Sequence, residues 1–224
     1  MKKTTLLLFV LLSFYYSMQA QVNTLTSVFN EKVKGEIIFQ NGKTLEGKFR
    51  VPGLNSKQIV FFDKNGNKTD LESDDIKYLI SKNEQGNYSV IEYSQIGRLK
   101  KTGEIKAINK KIWLQVVVDG EKADLYIAGT AFEVNNGIIE PVAYGTNQHP
   151  PSFNYYGKME GRDAIPVFID TEISGTTLFK NAMFKQFGYQ FFEGTPIADK
   201  IKKKLEGYRS EDRKKVFLEY NGML

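Results

Sequence analysis

The sequence of 224 residues contains no cysteine and only one histidine, His149. The absence of cysteine excludes disulfide bonds, cysteine nucleophiles, thiolate metal sites and a lipid-modified cysteine at the amino terminus. The single histidine excludes metal sites built from several imidazoles. His149 lies in the segment NQHPP (147–151), whose prolines predict a surface loop, and no Gly-x-Ser-x-Gly sequence accompanies it.

Common catalytic and cofactor-binding motifs are also missing. The sequence has no Walker loop, no dinucleotide-binding glycine pattern and no HExxH zinc motif. We therefore expect no catalytic set, no cofactor and no metal. Residues 63–74 do place oxygen-bearing side chains at alternate positions, as a calcium loop does, but the glycine is fourth and the twelfth residue is an aspartate. A turn between strands is the simpler interpretation of their Asn-Gly pair.

Residues 1–20 have the pattern of a secretory signal peptide. Lys2 and Lys3 precede an apolar run at 6–14, and Ala20 is a small residue at the expected cleavage point. The run is shorter than the roughly 20 residues that a membrane span needs. Cleavage leaves 29 basic and 26 acidic side chains, an excess of +3 that is too small to indicate a nucleic-acid partner. The sequence thus predicts export to the periplasm or the exterior, without a lipid anchor.

The middle of the chain has the pattern of antiparallel strands. Short segments with alternating apolar residues recur at spacings of about ten residues, and Asn-Gly or Asp-Gly pairs separate several of them. These pairs favour tight turns, whose central residues need positive φ angles. The predicted strands are 34–40, 44–51, 58–63, 76–81, 88–93, 113–119 and 123–128, with weaker candidates at 132–134, 138–144 and 164–169.

The pattern divides the mature chain into four regions. Residues 21–97 and 112–175 are β-rich, and residues 176–224 show helical spacing. Between the β-rich regions, residues 98–111 carry six Lys or Arg and predict an exposed basic link. The fold class is therefore α+β, with an antiparallel body of hairpins, in two small sheets or barrels, followed by two to three carboxy-terminal helices.

Helix signals are strongest near the carboxy terminus. Thr195 and Pro196 predict a helix start, because threonine caps free amides and proline fits the first turn. This helix is expected to place Leu205 on its apolar face and to end at Gly207. Ser210 predicts the cap of a further helix.

Two groups of side chains are candidates for ligand recognition. Aromatic residues that could stack on a sugar are Trp113, Tyr155 and Tyr156. Basic residues that could face anionic lipid from the second helix and its end are Lys200, Lys202, Lys203, Lys204 and Arg209. Core packing for the first group and a solvated helix face for the second remain the alternatives.

Clustered carboxylates raise the possibility of acid–base catalysis. Glu72, Asp74 and Asp75 lie together before one strand, and Glu160 and Asp163 lie together later in the chain. A carboxylate pair cleaves glycosidic bonds only when its members face each other across a cleft. Hydrated turns are the alternative interpretation.

Three segments together suggest a family. The opening GEIIFQNGKTLEG (35–47) with the strand at 58–62, the pair VVDGEKADLY (117–126), and the closing Phe191-to-Asn221 stretch resemble secreted proteins of Bacteroidetes-type bacteria with no assigned function. The resemblance implies a fold rather than an activity, since every matched residue is a turn, core or capping residue. It carries over no catalytic residue.

The sequence supports three functional hypotheses. The first is a non-enzymatic binding or scaffolding protein of the cell envelope, whose partner would be another envelope protein, a glycan or an anionic lipid surface. The second is a small carboxylate-dependent hydrolase or glycan-binding protein. The third is attachment to a membrane surface through the basic carboxy-terminal face. Nucleic acid is not an expected partner.

Overall fold

The computed structural model describes residues 31–100, 104–146, 150–171 and 177–224. The predicted signal peptide at 1–20 and His149 lie outside these residues. Within them, twelve β-strands precede three α-helices.

The strands alternate with short turns along the chain. They are β1 Lys32–Phe39, β2 Thr44–Arg50, β3 Gln58–Phe62, β4 Lys68–Glu72, β5 Ile76–Lys82, β6 Tyr88–Leu99, β7 Ile105–Val118, β8 Ala123–Ala128, β9 Ala131–Asn135, β10 Ile138–Val142, β11 Ser152–Met159 and β12 Ile165–Thr171. The helices are α1 Thr177–Phe191, α2 Pro196–Lys202 and α3 Arg213–Asn221. None of the helices in this described part is long and apolar enough to cross a membrane.

Ten strands form one antiparallel sheet in the order β12-β11-β8-β7-β6-β5-β1-β2-β3-β4, and β9 pairs with β10 in a separate hairpin. The predicted α+β class, with an antiparallel body and helices at its end, is confirmed. The two β-rich regions of the sequence share the large sheet, which does not close into a barrel. The sequence analysis missed β4, which has one apolar residue, and β11, where the adjacent Tyr155 and Tyr156 interrupt the alternating pattern.

Residues 98–99 and 105–111 of the predicted basic link lie in the paired strands β6 and β7, so for these residues the prediction of a connecting link was wrong; residues 101–103 lie outside the described part. β6 continues to Leu99 and β7 begins at Ile105, and the two strands pair along most of their length. The register shifts between Ile96 and Gly97, opposite Asn109, whose φ of 56° marks a bulge. Hydrogen bonding across the hairpin, rather than burial of side chains, keeps this charged segment extended.

One face of the large sheet, the covered face, is buried along its length. A row of directly paired residues (Leu79, Ile91, Gln115, Ile127, Tyr155) runs across β5, β6, β7, β8 and β11 on this face. The β9–β10 hairpin packs Phe132 and Ile139 over the part near β1 and β5. The helices pack Phe184, Phe192 and Phe217 over the part near β8 and β12. The opposite face carries Glu36, Tyr78, Ile80, Glu92 and Tyr126.

The start of α2 confirms the predicted cap, but its end does not. The side-chain oxygen of Thr195 accepts a hydrogen bond from the backbone N–H of Ala198. The helix ends at Lys202, and Lys204 has a φ of 54° that breaks it before Leu205, which is 45% exposed. Ser210 does not cap α3, because its hydroxyl donates to the Oδ1 atom of Asn181.

Asn221 attaches α3 to the turn between β7 and β8. Its Oδ1 atom accepts from the backbone N–H groups of Lys122 and Ala123 at 2.8 and 3.0 Å, and its Nδ2 atom donates to the carbonyls of Ala123 and Phe217, both at 2.8 Å. Gly120 has no side chain here, and a Cβ atom would lie 2.2 Å from Nδ2 of Asn221. One buried amide thus satisfies four backbone groups.

We expect Asn221→Ala to lower the free energy of unfolding by about 2–4 kcal/mol, because it leaves buried backbone groups without partners. Urea denaturation would measure the loss. Asn135→Ala is the matched control, since the exposed Asn135 amide donates only to Glu140 on its own hairpin. Equal stabilities of the two variants would contradict this role for Asn221.

Candidate functional site

The aromatic residues that the sequence selects do not form a ligand platform. Trp113 is fully buried, its Nε1 donates to the carbonyl of Ser56 at 3.1 Å, and its ring lies 5.1 Å from that of Tyr93. The expectation that Trp113 stacks on a ligand was therefore wrong. An aromatic with a polar edge can be buried when that edge finds a partner, and Ser56 provides it.

Tyr155 and Tyr156 point to opposite sides of β11. Tyr155 is 9% exposed and packs with the helices, where the Arg213 guanidinium lies 3.9 Å from its ring centre and donates to its hydroxyl at 2.6 Å. Tyr156 packs beside Tyr126, and burial raises its pKa. The two rings belong to different cores and cannot form one surface, which corrects that prediction.

The predicted basic helix face is not continuous. Because α2 ends at Lys202, Lys203 and Lys204 lie in the turn beyond it. Lys200 donates to Glu219 at 2.8 Å and to the Tyr208 hydroxyl at 2.7 Å, and the bond to Glu219 is the main cause that raises the pKa of Lys200. Lys202 lies over the ring of Tyr189, and Arg209 is exposed. The five side chains do not share one helical face.

The acidic clusters lie in two different turns. Glu72, Asp74 and Asp75 are exposed around the short turn before β5, where Asp74 pairs with Lys111 at 2.5 Å. Glu160 and Asp163 lie in the turn between β11 and β12. The start of β12 returns to β6, because Ala164 exchanges backbone hydrogen bonds with Gln95 and Gly97 at 3.0 and 2.9 Å. None of the five carboxylates lines either of the two pockets described below.

Residues 63–67 of the calcium-loop candidate form the turn of the β3–β4 hairpin, and residues 68–72 are strand β4. The Asp63 carboxylate accepts from the backbone N–H groups of Asn65 and Asn67 and from the Asn67 side chain, all at 2.8 Å. These bonds, the Asn67 side chain first, lower the pKa of Asp63. Across the described ranges, no group of three or more His, Asp or Glu side chains is placed to hold a metal.

A cluster that the sequence did not indicate lies on the opposite face of the sheet. The Tyr126 hydroxyl lies 2.7 Å from Oε2 of Glu92 and 3.0 Å from Oδ2 of Asp124. Lys158 pairs with Oε1 of Glu92 at 2.5 Å, and the Gly120 N–H donates to Oδ1 of Asp124 at 3.0 Å. These side chains come from β6, β8 and β11; β11 is the neighbour of β8, and β7 lies between β8 and β6.

Proton counting restricts the protonation states of this cluster. A tyrosine hydroxyl has one hydrogen, so both of its contacts are hydrogen bonds only when one of the two carboxyls carries a proton. Burial is the main cause that raises the pKa of Asp124, and the charges of Asp119 and Glu92 act in the same direction. Burial also raises the pKa of Tyr126, and it raises that of the neighbouring Tyr78 to about 12. Asp124 is therefore the carboxyl whose surroundings favour a bound proton.

A second unpredicted feature is a cleft with a volume of about 750 Å³ where β1, β2 and β3 meet the β5–β6 turn. We call it the lysine cleft; its lining includes Lys32, Lys34, Lys48, Lys64, Lys82 and Phe62, with Glu36, Glu46, Asp63 and Glu84. In the described residues, Lys64 pairs with Glu46 at 3.6 Å, and none of the other four lysines forms an ion pair.

The strands of the lysine cleft place like charges directly opposite each other. Lys32 pairs with Arg50, Lys34 with Lys48, and Glu36 with Glu46. Such pairs destabilise a sheet, whereas opposite charges at the same positions would stabilise it. Phe62 lies opposite Lys48, and the Lys32 ammonium lies 3.9 Å from the Phe62 ring centre. The Nε atom of Arg50 is buried, with no hydrogen-bond partner in the described structure.

In comparisons with known proteins, no family model, curated protein or solved structure matches this chain.

We expect Asp124→Asn to stabilise the protein at neutral pH but not at pH 3. The pKa of Asp124 is raised from 3.8 in the folded state, so the bound proton contributes stability that is complete below about pH 3.8 and is lost as the pH rises through the folded value. The neutral amide avoids this loss.

Urea denaturation between pH 3 and pH 8 would measure the free energy of unfolding of Asp124→Asn and of the unmodified protein. The advantage of Asp124→Asn should grow as the pH rises. Asp75→Asn, at an exposed carboxylate, is the control and should show no such growth. A pH-independent difference between Asp124→Asn and the unmodified protein would contradict the assignment of the proton.

Proposed function

We propose that the protein is an exported, non-enzymatic binding protein of the cell envelope and that the lysine cleft binds an anionic ligand. The observation that carries the proposal is the set of four cleft lysines, Lys32, Lys34, Lys48 and Lys82, without carboxylate partners in the described residues. Export rests on the signal pattern of residues 1–20.

The charge arrangement favours a ligand over a purely structural role. A structural hairpin gains from opposite charges at paired positions, yet β1 and β2 place Lys34 against Lys48 and Lys32 against Arg50. An anion between these side chains would remove the repulsion and gain charge-assisted hydrogen bonds. The cleft volume of about 750 Å³ lies within the range of small-molecule sites.

The alternative of a carboxylate-dependent hydrolase would use Glu92 and Asp124. These carboxylates are close enough to share the Tyr126 hydroxyl, and the raised pKa of Asp124 is typical of a general acid. However, Glu92 is already bound to Lys158, and its side chain is only 13% exposed. Binding through the open lysine cleft is therefore better supported.

We expect inorganic tripolyphosphate to bind the purified protein, and Lys34→Glu to weaken this binding by at least about tenfold, because charge-assisted bonds are lost and repulsion is added. Isothermal titration calorimetry at several salt concentrations would measure the affinity, which should fall as salt increases. Lys110→Glu is the matched control, an exposed strand lysine outside the cleft.

Vesicles of phosphatidylcholine with phosphatidylglycerol would distinguish a lipid headgroup from a soluble anion. If the protein binds both tripolyphosphate and the vesicles, and Lys34→Glu binds neither, the lysine cleft is supported as the anion site and lipid headgroups are among its ligands. Vesicle binding that depends on Lys202 and Lys203, without binding of tripolyphosphate, would overturn the proposal in favour of attachment through the carboxy-terminal basic residues.

The same substitution should have the opposite effect on folding. Lys34→Glu replaces a like-charge pair with an opposite-charge pair, so we expect the free energy of unfolding to rise by about 0.2–1 kcal/mol in the absence of ligand. Thermal and urea denaturation would measure it. A loss of stability together with a loss of binding would mean that Lys34 supports the fold, which would contradict its role as a ligand contact.

A further inference from the structure

The lysine cleft adjoins a second pocket of about 710 Å³. The two share one wall, formed by Lys32, Lys34, Lys82, Asn83 and Glu84. From this wall the first pocket extends over β2 and β3, and the second extends to the turn of the β9–β10 hairpin at Asn136 and Gly137. The two pockets are therefore adjacent.

The second pocket has a different chemistry from the lysine cleft. Four side-chain amides line it: Asn83, Gln85, Asn87 and Asn136. The Oδ1 atom of Asn83 accepts from the backbone N–H of Asn87 within the β5–β6 turn, which fixes the position of this amide. Each amide both donates and accepts hydrogen bonds, as a sugar hydroxyl does. The half-buried Val134 adds apolar surface to this pocket.

We propose that the two pockets form one groove for an acidic oligosaccharide. Its carboxylate or sulfate groups bind Lys34, Lys48 and Lys82 in the lysine cleft, and its hydroxyl groups bind the amides of Gln85 and Asn136. This inference rests on the proposed function, since it specifies the anion that the lysine cleft accepts. It adds the requirement that the second pocket take part.

The amides of Gln85 and Asn136 are accessible to a ligand, because both lie at exposed turns. Gln85 is exposed at the tip of the β5–β6 turn, and Asn136 is exposed in the β9–β10 turn. The backbone of Asn136 has a φ of 50°, which asparagine tolerates better than most residues and glycine tolerates best. Asn136→Gly therefore removes the amide while keeping the turn.

The test uses three probes on the full mature chain. They are a tetrasaccharide of alternating glucuronic acid and N-acetylglucosamine, the same tetrasaccharide with its carboxyl groups methylated, and inorganic tripolyphosphate. The paired variant Gln85→Ala/Asn136→Gly tests the second pocket, and Lys34→Glu tests the first. Gln58→Ala is the control, an exposed amide on β3 that bonds Glu72 away from the groove. Calorimetry gives affinities, and circular dichroism with thermal melting confirms folding.

We expect the acidic tetrasaccharide to bind at least about tenfold more tightly than its methyl ester, because only the acid forms charge-assisted bonds with the lysines. The paired amide variant should weaken binding of the tetrasaccharide by about fivefold or more and leave tripolyphosphate unchanged. Lys34→Glu should weaken both, and Gln58→Ala should weaken neither.

The possible failures are distinguishable. If tripolyphosphate binds but the tetrasaccharide binds no better than its ester, or is insensitive to the amide variant, this inference is overturned and the proposed function stands. If neither acidic probe binds, both are overturned. If the paired amide variant unfolds at a lower temperature than the unmodified protein, the tetrasaccharide affinity of Gln85→Ala alone, a change in an exposed turn, replaces it as the test of the second pocket.

Discussion

The hydrogen-bonded ladder between β6 and β7 is the constraint on which the rest of the structure depends. These strands have 12 and 14 residues, and each adds a neighbour on its outer side, β5 on β6 and β8 on β7. Both parts of the large sheet therefore extend from one hairpin and share its twist and its alternation of side chains. A change of register in this hairpin would exchange the two faces of every strand attached to it.

The unequal burial of the two faces determines where the protein can meet other molecules, because the face opposite the helices is buried only in part, around Leu114, Tyr126 and Ala164. Helices and the β9–β10 hairpin bury the face that carries Ile91 and Tyr155. The functional candidates, the Glu92–Tyr126–Asp124 cluster and the lysine cleft, both lie outside that covered core. They differ in character: the cluster satisfies its own charges, whereas the lysines of the cleft lack carboxylate partners in the described chain.

Local signals in the sequence predicted much of the fold and little of the site. The sequence located the turn at Asn41 and Gly42 but not the register of β1 and β2. A two-residue turn would pair Lys34 with Phe49, whereas the longer connection between Phe39 and Thr44 pairs Lys34 with Lys48. Glu92, Asp124 and Lys158 could not be grouped from local signals. Their bonds join positions 34 and 66 residues apart, and only the strand order brings them together. Trp113 was misassigned because its type does not reveal burial, which depends on the whole sheet.

The attachment of Asn221 to the β7–β8 turn has a consequence for the order of folding. The contact closes a loop of 98 residues, so it forms late and at a high entropic cost compared with the local hairpins. Until α3 has been synthesised, the apolar side chains of β8 and β11 lack the contacts that Val216 and Phe217 provide. During this interval the growing chain is most exposed to aggregation, and a chaperone would have most to protect at this stage.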